Sequence, residues 1–264
     1  MLLSIQGAES TGKTTLAYSA PLPIMGFSFD LGSERALYGS KYDELFKGLD
    51  IQIISYQSEE PARGADITIY EMPQPIQLNQ EALTGFMEQW AYFIKLFSTA
   101  ATNPAIKTIV IDTMTLARRI KADAYLQELQ EGAKGRPRKQ LLQIEYGHAN
   151  DAIRNLYTLL GGIKKNLVAI HHETDERKDM VDKDGAVVSM ITGNKILEGL
   201  TQTHRYVDIA LLTEKEKGNI KSTFLKCGYS LGLEGTPIQN PTWDKIVDMV
   251  DMALDGRIKL ERRA

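Results

Sequence analysis

The sequence contains a single cysteine, Cys227, among its 264 residues. A lone cysteine excludes a disulfide within the chain, and chains without disulfides are typical of reducing compartments. No apolar run approaches the roughly 20 residues that a membrane-spanning helix needs. The opening residues, MLLSIQG, lack the basic start of a signal peptide. These absences together predict a cytoplasmic location.

The sequence also lacks an excess of positive charge, since its formal net charge is -3. Whole-protein electrostatics therefore do not indicate a nucleic-acid-binding protein, and such a function would need a local basic patch. The composition, 43% hydrophobic and 25% charged, is that of an ordinary globular chain able to bury a full core. No repeat or long linker divides the sequence. We therefore expect one domain over 1–264, ending in a helix and a short polar tail over 241–264.

Apolar runs alternate with amphipathic stretches through residue 170. Strands are predicted at 2–6, 24–29, 51–55, 67–72, 107–113 and 166–170, and helices at 14–19, 35–49, 81–100, 116–130 and 141–160. Beyond them we expect a hairpin turn at 182–185, a helix at 195–202, a second hairpin over 206–227 and a helix at 241–254. This order predicts an α/β fold, a mainly parallel sheet flanked by helices with an antiparallel edge hairpin.

The octet GAESTGKT, residues 7–14, fits the phosphate-loop pattern G-x-x-x-x-G-K-[ST] and has a predicted strand before it and a helix after it. Glycines let successive backbone N–H groups face an anion at a helix N-terminus. Lys13 is expected to reach the β- and γ-phosphates, and the Thr14 hydroxyl to bind Mg²⁺. A chance glycine-rich turn is the alternative. The predicted nucleotide-binding residues of this segment are Gly7, Ala8, Glu9, Ser10, Thr11, Gly12, Lys13, Thr14 and Thr15.

A magnesium-bound triphosphate also needs an acid near Thr14. Asp112 ends the most apolar run of the chain, TIVID, as the second-motif aspartate of P-loop ATPases does. Thr14 and Asp112 are therefore the predicted metal residues, with Asp112 holding the water shell of Mg²⁺. An aspartate that only caps the following helix is the alternative reading.

Hydrolysis further requires a group that orients the attacking water, and Asp30 and Glu34 both follow the second predicted strand. The segment GAESTGKTTL is similar to the phosphate loop of the RecA recombinase family, including its Glu-Ser pair. In that family a Glu-His-Ala-Leu stretch after the next strand supplies the glutamate that activates water. This chain has Glu34-Arg35-Ala36-Leu37 there, so the resemblance makes Glu34 the candidate base. Because the spacing differs by two residues, Asp30 stays open, as does a helix cap at Glu34.

The predicted strand at 166–170 leads directly into His171-His172-Glu173. In RecA-like ATPases a polar residue at this strand end senses the γ-phosphate and is connected to a DNA-binding loop. Adjacent strand residues point to opposite faces, so at most one histidine faces the nucleotide. His171 is the candidate for the γ-phosphate sensor, and His172 is the alternative. A third possibility is that the histidine has only a structural role.

The order of motifs resembles a group of phage RecA-like ATPases, the single-strand annealing (Sak-type) proteins. The matching segments are the octet, TIVIDT, EYGHANDAIRNL (145–156), VAIHHE, ITGNK (191–195) and Asp208. This resemblance implies ATP and Mg²⁺ as cofactors, a DNA-stimulated ATPase activity, single-stranded DNA as a partner and self-association into a ring or filament. It also implies a phage protein in the bacterial host cytoplasm. Because the octet lies so near residue 1, we expect assembly through the surfaces of the core itself.

Two loops are candidate DNA contacts. The first, GAKGRPRK (132–139), places Lys134, Arg136, Arg138 and Lys139 close together, as backbone-tracking contacts require. The second follows the histidines, in the position of the second DNA loop of RecA, and carries Arg177 and Lys178. Solvated surface loops are the alternative for both. Candidates for a cation donated to a neighbouring subunit are Lys195, Arg205, Lys221 and Lys226.

Two other functions fit the same octet. A nucleotide or small-molecule kinase would use GRPRK as a cationic lid over its substrate. An ATP-dependent scaffold would bind ATP and assemble with negligible turnover. The sequence favours the RecA-like ATPase over both, because TIVID and a following acid accompany the octet.

Overall fold

The computed structural model describes residues 1–39, 43–78, 82–132, 138–181, 187–200 and 202–263. The strands within these residues are β1 Leu2–Gly7, β2 Ile24–Ser28, β3 Ile51–Ile54, β4 Ile67–Glu71, β5 Thr108–Asp112, β6 Asn166–His171, β7 Glu173–Val181, β8 Val187–Leu197, β9 Ile209–Glu216, β10 Asn219–Cys227 and β11 Pro237–Gln239. The α-helices are α1 Lys13–Ala17, α2 Ser33–Tyr38, α3 Asp43–Phe46, α4 Phe86–Thr102, α5 Met114–Glu131, α6 Tyr146–Gly162 and α7 Trp243–Ala253.

Nine strands form one sheet in the order β11-β10-β9-β1-β6-β5-β2-β4-β3. The strands from β9 to β3 pair in parallel, whereas β10 and β11 add an antiparallel edge. The predicted fold class is confirmed. The strand β6 lies between β1 and β5. The phosphate loop follows β1, and Asp112 is the last residue of β5, so the two lie on either side of β6. Parallel strands bring their carboxyl ends to one edge, which is where ligands bind in such sheets.

Helices cover both faces of the sheet, which explains why the central strands are apolar without alternation. On one face α4, α5 and α6 bury a cluster that includes Phe27, Phe93 and Tyr157. On the other face α1 and α7 enclose Leu16 and Trp243. The predicted polar tail packs against this second face, since the Trp243 indole N–H donates to the backbone oxygen of Glu261 at 2.8 Å.

Several predicted elements differ in detail. The stretch 35–49 contains two short helices, α2 and α3, and α4 begins only at Phe86, after Gly85 at φ +84°. The helix predicted at 195–202 is wrong, because β8 continues to Leu197 and pairs with β7. Pairing with a distant strand has overridden the local helix propensity of KILEGL. The predicted turn at 182–185 lies outside the described residues.

No helix in the described part of the chain is long and apolar enough to cross a membrane.

Candidate nucleotide-binding site

A cavity of about 860 Å³ opens at the carboxyl ends of β1, β2 and β5. This volume lies within the range of small-molecule sites in proteins. The cavity is lined by the phosphate loop and by residues from four other segments: Glu9, Ser10, Thr11, Gly12, Lys13, Thr14, Thr15, Asp30, Gly32, Arg35, Ala36, Gly39, Asp112, Thr113, His172, Lys215, Gly218 and Ile220. The sheet therefore gathers most of the predicted nucleotide residues around one space.

The phosphate loop adopts a backbone that only small residues allow at its two outer glycines. Gly12 has φ +79°, and a Cβ there would lie 2.4 Å from Cδ1 of Ile220. A Cβ at Gly7 would lie 2.3 Å from the backbone oxygen of Thr213. The turn from β1 into α1 therefore depends on glycine for the close approach of β9 and β10, and Gly12 adds a second left-handed residue to that of Ser10 at φ +59°.

The β9–β10 hairpin braces this loop from the side. The Thr213 hydroxyl donates to the backbone oxygen of Gln6 at 3.0 Å and lies 2.9 Å from the Thr11 hydroxyl oxygen. Both oxygens are buried. Because the hairpin follows in sequence almost 200 residues later, the phosphate loop is held by long-range contacts as well as by its own glycines.

Lys13 contacts the carbonyl oxygens of its own loop, whereas Thr14 contacts Asp112, the acid that the sequence places near it. The Lys13 ammonium donates to the backbone oxygens of Gly7 at 2.8 Å and Ala8 at 2.6 Å, and burial lowers the pKa of this side chain. The Thr14 hydroxyl donates to Oδ2 of Asp112 at 2.8 Å. A charged lysine held on carbonyl oxygens is poised to exchange them for phosphate oxygens, which are stronger acceptors.

Asp112 is 1% exposed and its environment fits a hydrated divalent cation. Its Oδ1 atom is buried without a hydrogen-bond partner among the described residues, whereas Oδ2 accepts from Thr14. Burial, and secondly the negative charge of Asp30, raise the pKa of the Asp112 carboxyl to about 7. A buried carboxylate with an unused oxygen gains from a nearby Mg²⁺ or a water bound to it, because either would compensate its desolvation.

Asp30 and Glu34 are placed differently relative to the cavity. Asp30 lines the cavity at the end of β2, and its Oδ1 accepts a hydrogen bond from the Gly32 backbone N–H at 3.0 Å. Glu34, on α2, is exposed and does not line the cavity, whereas its neighbour Arg35 does. The geometry therefore favours Asp30 over Glu34 as the acid that orients water.

Conservative substitutions separate these two acids. We expect Asp30→Asn to lower the rate of ATP hydrolysis about 100-fold, because a general base contributes roughly 10²–10⁴-fold. Glu34→Gln is expected to stay within about twofold of the unmodified protein, as for other surface changes. Steady-state phosphate release at saturating Mg²⁺ and ATP measures both. Loss of activity in Glu34→Gln with retention in Asp30→Asn would reverse the assignment.

His171, the predicted sensor, does not reach the cavity, and this prediction is corrected. Its ring is buried, Nε2 lies 3.1 Å from the hydroxyl of Tyr157 on α6, and burial lowers the pKa of the imidazole to about 3. His172 lines the cavity instead. The reason is the alternation of side chains along a strand, which turns one of two adjacent residues away from the nucleotide.

The structure adds residues that the sequence reasoning missed. Arg35 and Lys215 line the cavity, the latter from the tip of the β9–β10 hairpin. Basic residues in EKEKGN were the available signal, but nothing in the sequence places that turn over the phosphate loop. The four side chains predicted to reach a neighbouring subunit do not line the cavity. Lys195 pairs with Asp175, and Lys221 pairs with Glu214. Lys226 donates to the backbone oxygens of His204 and Val207, and Arg205 lies in the 3₁₀ helix Thr203–Arg205. Their role toward a second subunit stays a prediction.

The predicted DNA contacts are partly described. Lys134 and Arg136 lie outside the described residues. Arg138 forms an ion pair with Glu145 at 3.0 Å, and Lys139 is exposed. Arg177 and Lys178 are exposed on β7, where the Lys178 ammonium lies 3.7 Å from Glu176.

A family described as an AAA domain matches residues 2–209, which is most of the chain. The chain belongs to this AAA-domain family. Among solved structures, this AAA-domain protein is similar to a KaiC-like protein from the hyperthermophilic archaeon Pyrococcus horikoshii OT3, at 12% identity over 90% of this chain and 84% of that chain, with a TM-score of 0.41. It is also similar to the genome packaging NTPase of Sulfolobus turreted icosahedral virus 2 in complex with sulfate, at 8% identity over 91% and 96%, with a TM-score of 0.32.

No curated protein matches the sequence. The family and the strand order nevertheless agree on the class of protein. The AAA-domain protein has a P-loop ATPase core with a RecA-like fold, and it binds ATP. Members of such families usually use Mg²⁺ with the nucleotide.

Proposed function

We propose that this protein is a Mg²⁺-dependent ATPase that acts on single-stranded DNA in phage recombination or annealing, as a ring or filament of subunits. The observation that carries the proposal is the position of His172. This residue lines the ATP cavity and directly precedes β7, so one segment of chain contacts the nucleotide site and continues into an exposed strand pair. The resemblance of the motif set to Sak-type ATPases supports the same function.

The side chains of the cavity suggest how ATP is held and hydrolysed. The triphosphate would lie on the N-terminal N–H groups of α1, where the helix dipole favours negative charge. Lys13 would leave the oxygens of Gly7 and Ala8 for the phosphates, and Thr14 and Asp112 would hold Mg²⁺ and its water shell. The metal would supply neutralisation of phosphate charge. Asp30 would orient the attacking water and accept its proton.

Backbone contacts around His172 offer a route from the nucleotide to the DNA. The His172 N–H donates to the Thr115 hydroxyl on α5 at 3.0 Å, and the Glu198 N–H donates to the His172 backbone oxygen at 3.0 Å. Thr115 and Glu198 belong to the segments that begin α5 and follow β8. A shift of His172 on binding a γ-phosphate would therefore reach both the helix and the β7–β8 pair.

Single-stranded DNA is expected to raise the rate of ATP hydrolysis by the full chain several-fold. The double variant Arg177→Ala/Lys178→Ala is expected to lose part of this stimulation, because each removed cation weakens the salt-dependent binding to phosphates. The matched control Lys47→Ala/Arg257→Ala removes the same charge from exposed positions outside the proposed contacts. ATPase rates titrated with oligo(dT) measure the effect. A protein that neither binds oligo(dT) nor changes its rate would contradict the proposal.

An ATP-dependent scaffold with negligible turnover is the second candidate. The exposed position of Glu34 favours it, since the glutamate implied by the RecA resemblance lies outside the cavity. Sedimentation velocity with and without ATP, together with the turnover rate, separates the two functions. A change in sedimentation coefficient without measurable turnover would select the scaffold.

A further inference from the structure

Arg118, on the second turn of α5, is a partly buried cation with spare donors. Its Nε donates to Oδ1 of Asn150 at 2.6 Å, and burial lowers the pKa of the guanidinium. In the described part of the chain no carboxylate lies within ion-pair distance of Arg118, although the Glu198 carboxylate, which pairs with Arg119 at 2.9 Å, also attracts the Arg118 guanidinium. A guanidinium has five N–H donors in a planar fork, so most of those of Arg118 remain for a ligand such as a phosphate.

The guanidinium lies between an aromatic ring and a glycine. Its Cζ is 5.5 Å from the ring centroid of Tyr146, and a Cβ at Gly199 would lie 2.8 Å from Nη1. Gly199 is the second residue after β8 and has φ +89°. The glycine therefore leaves room for Arg118, and the cation in turn fixes the orientation of the tyrosine ring by a cation–π contact. We call Arg118, Arg119, Tyr146 and Asn150 the Arg118 patch.

The surface beside the Arg118 patch combines apolar groups with positive charge. Tyr146 is 36% exposed, and the preceding Leu142 and Ile144 are 57% and 85% exposed. The exposed Lys139 precedes them in the chain, at the end of the first predicted DNA loop, whereas the neighbouring Arg138 is paired with Glu145. Single-stranded nucleic acid has flat apolar faces next to a negative backbone, so it satisfies both features at once.

The Arg118 patch is connected to the cavity by hydrogen bonds of the His172 backbone. Thr115, which accepts the hydrogen bond from the His172 N–H, lies one helical turn before Arg118 and Arg119. Glu198, which pairs with Arg119, donates its N–H to the backbone oxygen of His172. Arg118 and Arg119 are therefore linked to the cavity-lining histidine both along α5, through Thr115, and through the Arg119–Glu198 ion pair.

We propose that the Arg118 patch is a stacking site for single-stranded DNA, in which a base lies on Tyr146 and its phosphate is bound by Arg118. This inference rests on the proposed function, and it supplies the aromatic platform that neither predicted DNA loop contains. Because the same patch contacts the His172 segment through Thr115 and Glu198, we expect ATP to change the affinity of this site.

Anisotropy of fluorescein-labelled oligo(dT) tests the patch with the full chain and a non-hydrolysable ATP analogue. Tyr146→Ala is expected to bind about tenfold more weakly, since stacking is worth roughly 1–3 kcal/mol per base, whereas Tyr146→Phe keeps the ring and the affinity. Arg118→Met is expected to bind more weakly and to lower the salt slope of log Kd by about one unit. Arg257→Met, an exposed arginine away from the patch, is the matched control.

A gain-of-signal variant guards against misfolding of Tyr146→Ala. In Tyr146→Trp the additional indole emission, taken against that of the unmodified chain, is expected to be quenched by oligo(dT). If the unmodified chain binds oligo(dT) and folded Tyr146→Ala and Arg118→Met bind it equally well, the patch is not the binding site. The same conclusion follows if oligo(dT) does not quench Tyr146→Trp. Either result would leave the proposed function standing. Absence of oligo(dT) binding by the unmodified chain would overturn both.

Discussion

Lys13→Ala is expected to lower the rate of ATP hydrolysis at least about 100-fold. Removing one group that stabilises developing charge typically costs roughly 10²–10³ in rate. Lys13 is the phosphate-loop lysine, it lines the cavity, and its ammonium is already directed to the loop oxygens of Gly7 and Ala8. The effect is expected on turnover and on nucleotide affinity together, because the lysine would contact phosphates before and during the reaction.

The folded state is expected to tolerate this substitution. The Lys13 ammonium makes two hydrogen bonds, but the side chain is buried, and the loss of solvent around its charge lowers its pKa. Loss of these bonds and relief of the desolvation cost oppose each other. We therefore expect a change in Tm of only a few degrees without nucleotide.

The measurement is steady-state phosphate release, combined with titration of a fluorescent ATP analogue. Lys47→Ala, at an exposed position directly after α3, controls for removal of a lysine elsewhere. A folded Lys13→Ala protein that hydrolyses ATP within about twofold of the unmodified rate would place the reaction outside this cavity.

Asp112→Asn is expected to abolish Mg²⁺-dependent hydrolysis and, without Mg²⁺, to stabilise the protein at high pH. Asparagine keeps the size of the side chain and an oxygen that accepts from Thr14, but it cannot ionise. Removing the carboxylate takes away the charge that would hold the metal and its waters. We expect a loss in rate of about 100-fold or more, comparable to that of Lys13→Ala.

The stability change follows from the raised pKa of Asp112, about 7 in the folded protein against about 4 in an unfolded chain. As the pH rises from about 4 to about 7, the carboxyl loses its proton in the unfolded chain but keeps it in the folded protein. The free energy of unfolding therefore decreases over this range. Above about pH 7 the loss is constant, at a few kcal/mol. Asp112→Asn escapes this loss, so its advantage in Tm grows with pH.

Thermal unfolding at pH 5 and pH 8 in the presence of a chelator measures this difference. We expect Asp112→Asn to exceed the unmodified protein in Tm by several degrees more at pH 8 than at pH 5. Mg²⁺ and ATP are expected to stabilise the unmodified protein and to have a smaller effect on the variant. A Tm difference that is the same at both pH values would show that Asp112 has an ordinary pKa.

The sequence was sufficient for the sheet and the phosphate loop because their signals are local. Buried parallel strands read as continuous apolar runs, as in TIVID, and a phosphate loop requires glycines at fixed spacing. Asp112 was placed near Thr14 because it ends the apolar run TIVID, as the second-motif aspartate of P-loop ATPases does. The hydrogen bond between them is what that reasoning implies.

The remaining features depend on contacts that periodicity does not encode. Lys215 reaches the cavity because β9 pairs with β1, and no local pattern places the tip of that hairpin near the phosphate loop. Glu34 was selected by resemblance, but α2 turns it outward. The choice between His171 and His172 depended on which of the two side chains faces the cavity. His171 instead packs against Tyr157 on α6, on the opposite side of the strand.

A crystal structure with an ATP analogue and Mn²⁺ in place of Mg²⁺ would show whether nucleotide and metal bind in this cavity, because Mn²⁺ gives an anomalous signal. The proposed nucleotide site predicts phosphates on the N-terminus of α1, the Lys13 ammonium moved from Gly7 and Ala8 to the phosphate oxygens, and Mn²⁺ about 2.1 Å from the Thr14 hydroxyl oxygen with Asp112 on its water shell. Nucleotide bound elsewhere, or a metal without contact to Thr14 and the waters of Asp112, would contradict it.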